Sequence, residues 1–363
     1  MKICYISPLH QHIYRWIEAF VKRGYRACLI TDSDCWVTPK IAFAPVYPLK
    51  SSRTANRFRF LPSNVVATIR ILRETKPDLV HLHVQHYLSP AIIIDRLPYI
   101  LTSWGIEVIT LPQVNFLFRS WARLTAKKAK MITVDAEFLK QIWVKNGIPE
   151  AKVKVIPFGV DTSLFNSQVD GSIVRQKLGL ENNDVVVVST RPFYNHHYDV
   201  ERLIRAAPIV LKNHSDVKFI LKGTGLLEGY LKELANKLKV SEHTRFVGVV
   251  PHEQVAQYLA AADIYVSTCS YDSTSVSLLE AMACGLAPAI TDTLGNREWI
   301  TEGVNGFLFP PRDHRRLAQK IIQLVDNKPL RKNFAKKCVE IVKERADWKK
   351  NVAEMETIYK SSL

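Results

Sequence analysis

The chain has 363 residues, 47% hydrophobic, 23% charged and 10% aromatic, a globular mix that excludes long disorder, a collagen repeat or a coiled coil as the main architecture and suggests two domains. Its 50 Lys and Arg against 34 Asp and Glu leave a net charge of +16. Residues 1–160 hold 23 basic and 10 acidic side chains and residues 161–363 hold 27 and 24, so the first half is expected to face something anionic: lipid headgroups, nucleic acid or a phosphorylated substrate.

The start of the chain lacks an uninterrupted apolar stretch and a small-residue cleavage site. It reads as a first strand, KICYIS (2–7), rather than a signal peptide. A helical run ends at Gly24, and RACLIT (26–31), DLVHLH (78–83) and YILTSW (99–104) follow as strands. A helix near 115–129, the strand MITVD (131–135), a helix near 136–146 and VKVIPFG (153–159) close this series. The second series alternates the strands DVVVVST (184–190), VKFILKG (217–223), RFVGVV (245–250), IYVSTC (264–269) and APAIT (287–291) with helices near 199–213, 226–239, 252–262 and 275–284. Such alternation means βαβ units and parallel sheets. Two series predict an α/β protein of two Rossmann-like domains, with a joint near 157–170 where FGVDTSLFNSQVDGS breaks the periodicity. No run of about 18 apolar residues predicts a membrane-spanning helix. The six cysteines form no C-x-x-C pair, which points to buried thiols in a reducing cytosol rather than a disulfide or zinc framework.

The segment YDSTSVSLLEAMACGLAPAITD (271–292) carries the chemistry. A strand enters a loop of small hydroxyl residues, and Ser273, Thr274 and Ser275 are all good N-caps for the helix that Gly285 stops. The free amides of its first turn, at Ser275, Val276 and Ser277, and the helix dipole form an anion site. Glu280, one and a half turns on, is placed to accept two hydroxyls of a ribose, and Asp272 precedes the helix.

Asp272 and Glu280 are separated by seven residues, and LLEAMACG (278–285) follows on from this spacing. This resembles the Glu–seven residues–Glu motif of the family 4 retaining glycosyltransferases, of GT-B fold. The downstream TDTLGNREWITEGVNGFLFPPRD (291–313), the upstream IPFGVDTSLF (156–165), the stretch 245–270 and the terminal DWKKNVAEMETIYKSSL (347–363) resemble the family's corresponding segments. The resemblance covers most of 150–363 and is mainly architectural before that. It implies two Rossmann-like domains facing across a cleft: an acceptor-binding domain over 1–160, to which the terminal helix 347–363 crosses back, and a nucleotide-sugar-binding domain over 161–346. It also implies that Arg191 and a Lys about five residues later grip the donor diphosphate. RPFYNHHYD (191–199) has no Lys, so His196, His197 or Tyr198, or Lys222 from the next loop, would substitute. Asp272 is one methylene shorter than the family's Glu at its place. The family's Gly-rich turn after the first strand is replaced by SPLHQHIYRW (7–16), where His10, Gln11 or His12 are cleft candidates. In VHLHVQHY (80–87), His83 ends the strand and is the choice for the His that approaches the donor sugar. His81 shares its face, and His86 is an alternative. Glu107 is a candidate for acceptor contact.

Other patterns are weaker. GTGLLEG (223–229) imitates a dinucleotide fingerprint with the wrong third-glycine spacing. Asp32-Ser33-Asp34 spells a metal-binding D-x-D but lies far from the donor motif, and no metal is expected there or at the histidines. The stretch 115–130 sets Phe116, Phe118 and Trp121 beside Arg119, Arg123, Lys127, Lys128 and Lys130. It reads either as a solvated basic helix with a core-facing aromatic stripe or as an interfacial helix on anionic lipid. No nucleic-acid-binding signature accompanies it. The expectation is a cytoplasmic, metal-independent retaining hexosyltransferase, peripheral at the inner face of the membrane. It would need no cofactor beyond its nucleotide-diphosphate-sugar donor and would use a saccharide or lipid-linked acceptor in polysaccharide or glycolipid synthesis. A non-catalytic sugar-nucleotide or membrane-surface binding protein, or a sugar-nucleotide epimerase, are the alternatives.

Overall fold

The structure, a computed structural model, describes residues 1–9, 11–31, 43–49, 62–84, 88–105 and 116–363. His10, Asp32, Asp34, Cys35, His86 and Glu107 lie outside these residues, as do the side chains of Gln11, Phe116, Phe118 and Arg119. The chain divides into two compact units, Met1–Pro157 with Lys350–Leu363, and Phe158–Lys349.

The first unit is built on a parallel sheet of β1 (Lys2–Ile6), β2 (Arg26–Thr31), β3 (Val46–Pro48), β4 (Leu79–His83), β5 (Tyr99–Ser103), β6 (Met131–Val134) and β7 (Val153–Val155). Their order is β3-β2-β1-β4-β5-β6-β7. A parallel sheet is covered on both faces, so its strands read as apolar runs. On one face Cys4, Ile6, Cys28, Ile30, Val80, Leu82, Leu101, Ile132 and Val134 share a core. The helices of this unit are α1 (Gln11–Lys22), α2 (Pro62–Thr75), α3 (Ser89–Ile94), α4 (Phe116–Lys128) and α5 (Glu137–Lys145). Helix α2 departs from the strand-like composition of NVVATIRI. Pro62 supplies a fixed φ for its first turn, and Val65, Thr68, Leu72 and Thr75 fall on one buried stripe, so tertiary packing overrides β propensity.

The second unit has α6 (Ser172–Lys177), β8 (Val185–Ser189), α7 (Glu201–Leu211), β9 (Val217–Lys222), α8 (Glu228–Lys237), β10 (Thr244–Gly248), α9 (His252–Ala260), β11 (Ile264–Ser267), α10 (Val276–Ala283), β12 (Ala287–Thr291), α11 (Leu294–Arg297), β13 (Phe307–Phe309), α12 (His314–Asp326) and α13 (Lys328–Arg345). Its parallel sheet runs β10-β9-β8-β11-β12-β13. Alternation divides the strands between two cores: Val186, Val188, Ile220, Tyr265 and Ile290 pack with α9 and α10, while Val187, Phe219, Leu221, Val266 and Ala289 pack with α7, α8 and α12. Helices α12 and α13 and strand β13 have no counterpart among the predicted elements. In α13 the buried stripe is only Arg331, Phe334, Cys338 and Val342 in 18 residues, a faint periodic signal on a highly charged helix.

A last helix, α14 (Trp348–Ser361), carries residues 350–363 back to the first unit. Asn351 donates to the Pro157 carbonyl at 2.8 Å, and Tyr359 enters a buried polar chain. The Tyr359 hydroxyl lies 2.6 Å from His81 Nδ1 and 3.3 Å from the Tyr5 hydroxyl, and His81 Nε2 lies 2.6 Å from Thr102 Oγ1. Cys4, Cys28, Cys269, Cys284 and Cys338 are buried and unbridged. Among the described residues no helix is long and apolar enough to cross a membrane.

Candidate active site

Strand β11 ends at Ser267, and the loop 268–275 feeds α10 at the carboxyl edge of the sheet, where α/β folds bind ligands. Ser275 is the N-cap, and its Oγ accepts the Leu278 amide at 3.2 Å. The Val276 and Ser277 amides precede that bond and have no acceptor among the described residues. The loop is pressed into place by the GNRE turn. An added Cβ at Gly295 would lie 1.8 Å from the Ser273 carbonyl oxygen and 2.5 Å from that of Asp272, so only glycine permits this approach. Asn296 donates to the Thr291 carbonyl at 2.7 Å and anchors the turn.

Arg191 follows β8 and is buried against this loop. Its Nη2 donates to Asp272 Oδ2 at 2.8 Å and to Ser275 Oγ at 2.6 Å, and its Nε donates to Ser267 Oγ at 2.8 Å. The Nη1 group makes no hydrogen bond with any described residue. Burial opposes the guanidinium charge, but Tyr265 and Asp272 outweigh it and hold Arg191 more firmly protonated than usual. The 191–194 loop is backed by the GTG turn: Phe193 donates to the Thr224 carbonyl at 3.0 Å, and a Cβ at Gly225 would fall 2.3 Å from the Phe193 carbonyl carbon. The glycines of this turn let its backbone press against that of residues 191–194.

Glu280 points from α10 to a second cluster. Its Oε1 accepts from His252 Nε2 at 3.0 Å, and the His252 ring meets Phe165 edge-on, with centroids 5.2 Å apart. Lys222, at the end of β9, is pulled down by burial and partly restored by the Glu280 charge. The structure thus brings Lys222 to Glu280. His252, in none of the expected site positions, is a new member. Pro251, which starts α9 at the same edge of the sheet, was the available signal.

The two adjacent histidines part company. His197 packs on Tyr271, the rings tilted with centroids 3.7 Å apart, and its Nε2 lies 3.1 Å from Cys269 Sγ. Burial lowers its pKa, the Asp272 charge raises it and Arg191 lowers it. His196 is exposed and lines a shallow recess with Phe193, Glu201 and Tyr230. Burial pushes the Cys269 thiol up to about 11, so it is no thiolate nucleophile at neutral pH.

His83 belongs to the first unit. It is fully buried at the end of β4, its ring 4.0 Å from His81 and 6.0 Å from Trp104, which His12 also meets edge-on. Neither His83 nitrogen has a hydrogen-bond partner among the described residues. Burial and the neighbouring His81 hold its pKa well below the usual range. Among the described residues no group of three His, Cys, Asp or Glu side chains could hold a metal.

The model of the glycosyltransferase family 4 matches residues 9–164, and that of the glycosyl transferases group 1 matches residues 172–339. An uncharacterized glycosyltransferase of Methanocaldococcus jannaschii is 23% identical over 99% of this chain and 95% of its own. The N-acetyl-alpha-D-glucosaminyl L-malate synthase of Bacillus anthracis is 26% identical over 78% of this chain and 74% of its own. The structure of Anabaena HepE in complex with UDP-glucose superposes with a TM-score of 0.81 at 21% identity, over 99% of this chain and all of that one. The chain belongs to the family 4 type of glycosyltransferases and has their GT-B fold of two Rossmann-like domains.

Proposed function

We propose that the protein transfers a hexose-type sugar, with retention and without a metal, from a nucleotide-diphosphate sugar to a saccharide or lipid-linked acceptor. The observation that carries this reading is the Arg191–Asp272–Ser275 cluster at the start of α10, with Glu280 further along the same helix. In this reading the donor diphosphate lies against Nη1 of Arg191 and the amides of Val276 and Ser277. These fixed donors stabilise the charge that develops as the bond between the anomeric carbon and the phosphate oxygen breaks. The acceptor hydroxyl oxygen adds to the same face, and its proton passes to the departing phosphate oxygen. Glu280 receives the ribose hydroxyls. His83, a buried imidazole without a partner among the described residues, gains one when a substrate hydroxyl reaches it. The UDP-glucose bound by Anabaena HepE supports a sugar nucleotide as donor. No cofactor is needed beyond the donor. The basic first unit favours an anionic acceptor or an anionic membrane at the cytoplasmic face, the setting of cell-surface polysaccharide or glycolipid synthesis.

One observation favours binding without turnover. His196 is exposed at a recess with Glu201 and Tyr230, and Lys222 feels the Glu280 charge, so among the described residues no second cation is hydrogen-bonded beside Arg191. Incubation with UDP- and GDP-hexoses in EDTA, followed by NMR of the released or transferred sugar, tests the proposal. The expected result is donor turnover with α-configured product. Strict dependence on a divalent metal, an inverted product, or binding with no turnover overturns it.

A further inference from the structure

The clearest unassigned contact near the site is the His252–Glu280 pair. Glu280 is only 8% exposed, and a carboxylate so placed needs a fixed donor to remain charged and oriented. Among the described residues that donor is His252 Nε2 alone, 3.0 Å from Oε1. Nε2 must carry the proton, because an ionised carboxylate only accepts. The ring cannot swing freely. It starts α9 directly after Pro251, and the Phe165 ring meets it edge-on. Glu280 is held on the packed helix α10, whose Leu278, Leu279, Ala281 and Met282 are buried. The carboxylate plane is therefore set from outside its own helix, with Oε1 occupied by His252 and Oε2 making no hydrogen bond to any described residue.

We propose that His252 is a positioning residue that sets the sugar selectivity of the nucleotide site, by fixing the Glu280 carboxylate so that it reads a ribose diol rather than any single hydroxyl. This rests on the reading that Glu280 receives the ribose. A free carboxylate turns to follow whichever hydroxyl is present. One pinned at Oε1 meets two hydroxyls with Oε2 and the remaining lone pair of Oε1, and a missing hydroxyl leaves a buried acceptor unpaired. Sites that hydrogen-bond a hydroxyl reject its deoxy analogue strongly for that reason.

The test is calorimetric titration of the full chain with UDP and GDP and with their 2′-deoxy and 3′-deoxy forms, alongside thermal unfolding. His252→Phe keeps a ring against Phe165 and removes the donor, whereas His252→Gln keeps an N–H donor. His252→Phe is expected to reduce the ribose-over-deoxyribose preference about tenfold, with most of the change on the ribose nucleotide, while His252→Gln retains the preference. If His252→Phe weakens ribose and deoxyribose nucleotides equally, or if His252→Gln behaves like His252→Phe, the positioning role is overturned. If Glu280→Gln abolishes the preference and His252→Phe leaves it intact, positioning fails while the ribose reading stands. If Glu280→Gln also leaves the preference intact, the ribose reading itself fails.

Discussion

Arg191 satisfies three acceptors from two elements and a loop: Ser267 at the end of β11, Asp272 in the loop and Ser275 at the N-cap of α10. Lysine presents one point charge in place of a planar fork and cannot reach all three. Arg191→Lys is therefore expected to weaken UDP or GDP binding about tenfold or more, since one hydrogen bond to a charged group contributes about 1.5–3 kcal/mol. Calorimetry gives the affinity, and unchanged binding would separate Arg191 from the diphosphate. Asp272 and Glu280 were legible because their spacing on a strand–loop–helix segment is local. The partner His252 was not, because it comes from another crossover and meets the site only through the sheet. A second prediction concerns His81 and His83. Burial pushes His81 down to about 3, and burial and His81 hold His83 low, so both stay neutral in the folded unit. Unfolded, they take up protons below about pH 6.5, so the unfolded chain binds more protons and stability falls on acidification. Each contributes up to about 1.4 kcal/mol per pH unit between that value and its folded pKa. Urea unfolding of wild type and His83→Asn at pH 7 and pH 5 measures this, and the variant is expected to show the shallower acid loss.

Helix α14 illustrates how much an element depends on a distant partner. Its Tyr359 ring packs on Phe20 with centroids 4.6 Å apart, and its hydroxyl completes the chain through Tyr5 and His81 to Thr102. Tyr359→Phe leaves the fully buried His81 Nδ1 without its partner, an expected loss of about 1–3 kcal/mol. Hydrogen exchange is expected to place that loss at amides of β1 and β4 rather than in the second sheet; a uniform change would contradict it. Most strands were legible because both faces of a parallel strand are buried and the run is apolar throughout. Helix α2 was hidden by its β-branched residues and α13 by its single narrow stripe, for in both the packing partner supplies what the local pattern lacks.

Across the whole molecule, the excess positive charge of residues 1–160 includes Lys127, Lys128 and Lys130, all exposed on or just past α4. Trp121 turns inward instead, its Nε1 donating to Ser89 Oγ at 2.9 Å. If this half works at a membrane, the protein is expected to sediment with anionic vesicles, weakly with neutral ones, and to be released by salt, since the attraction acts over a Debye length of about 8 Å at physiological salt. Replacing the three lysines by Ser is expected to remove about 3 kcal/mol of attraction and to leave nucleotide affinity unchanged. Replacing Trp121 is expected to lower the melting temperature rather than vesicle binding. Equal binding to both vesicle types would leave the charge as a grip for a soluble anionic acceptor. The return of residues 350–363 to the first unit also sets an order on biosynthesis. The ribosome makes β1 and β4 well before α14, so Tyr5 and His81 meet Tyr359 only after all of Phe158–Lys349 has been translated. Domains usually mature in the order of synthesis; here the second unit can close while the first still exposes the side of its sheet that α14 covers. On a stalled nascent chain ending before residue 350, that earlier-made unit is the one chaperones and proteases would meet open.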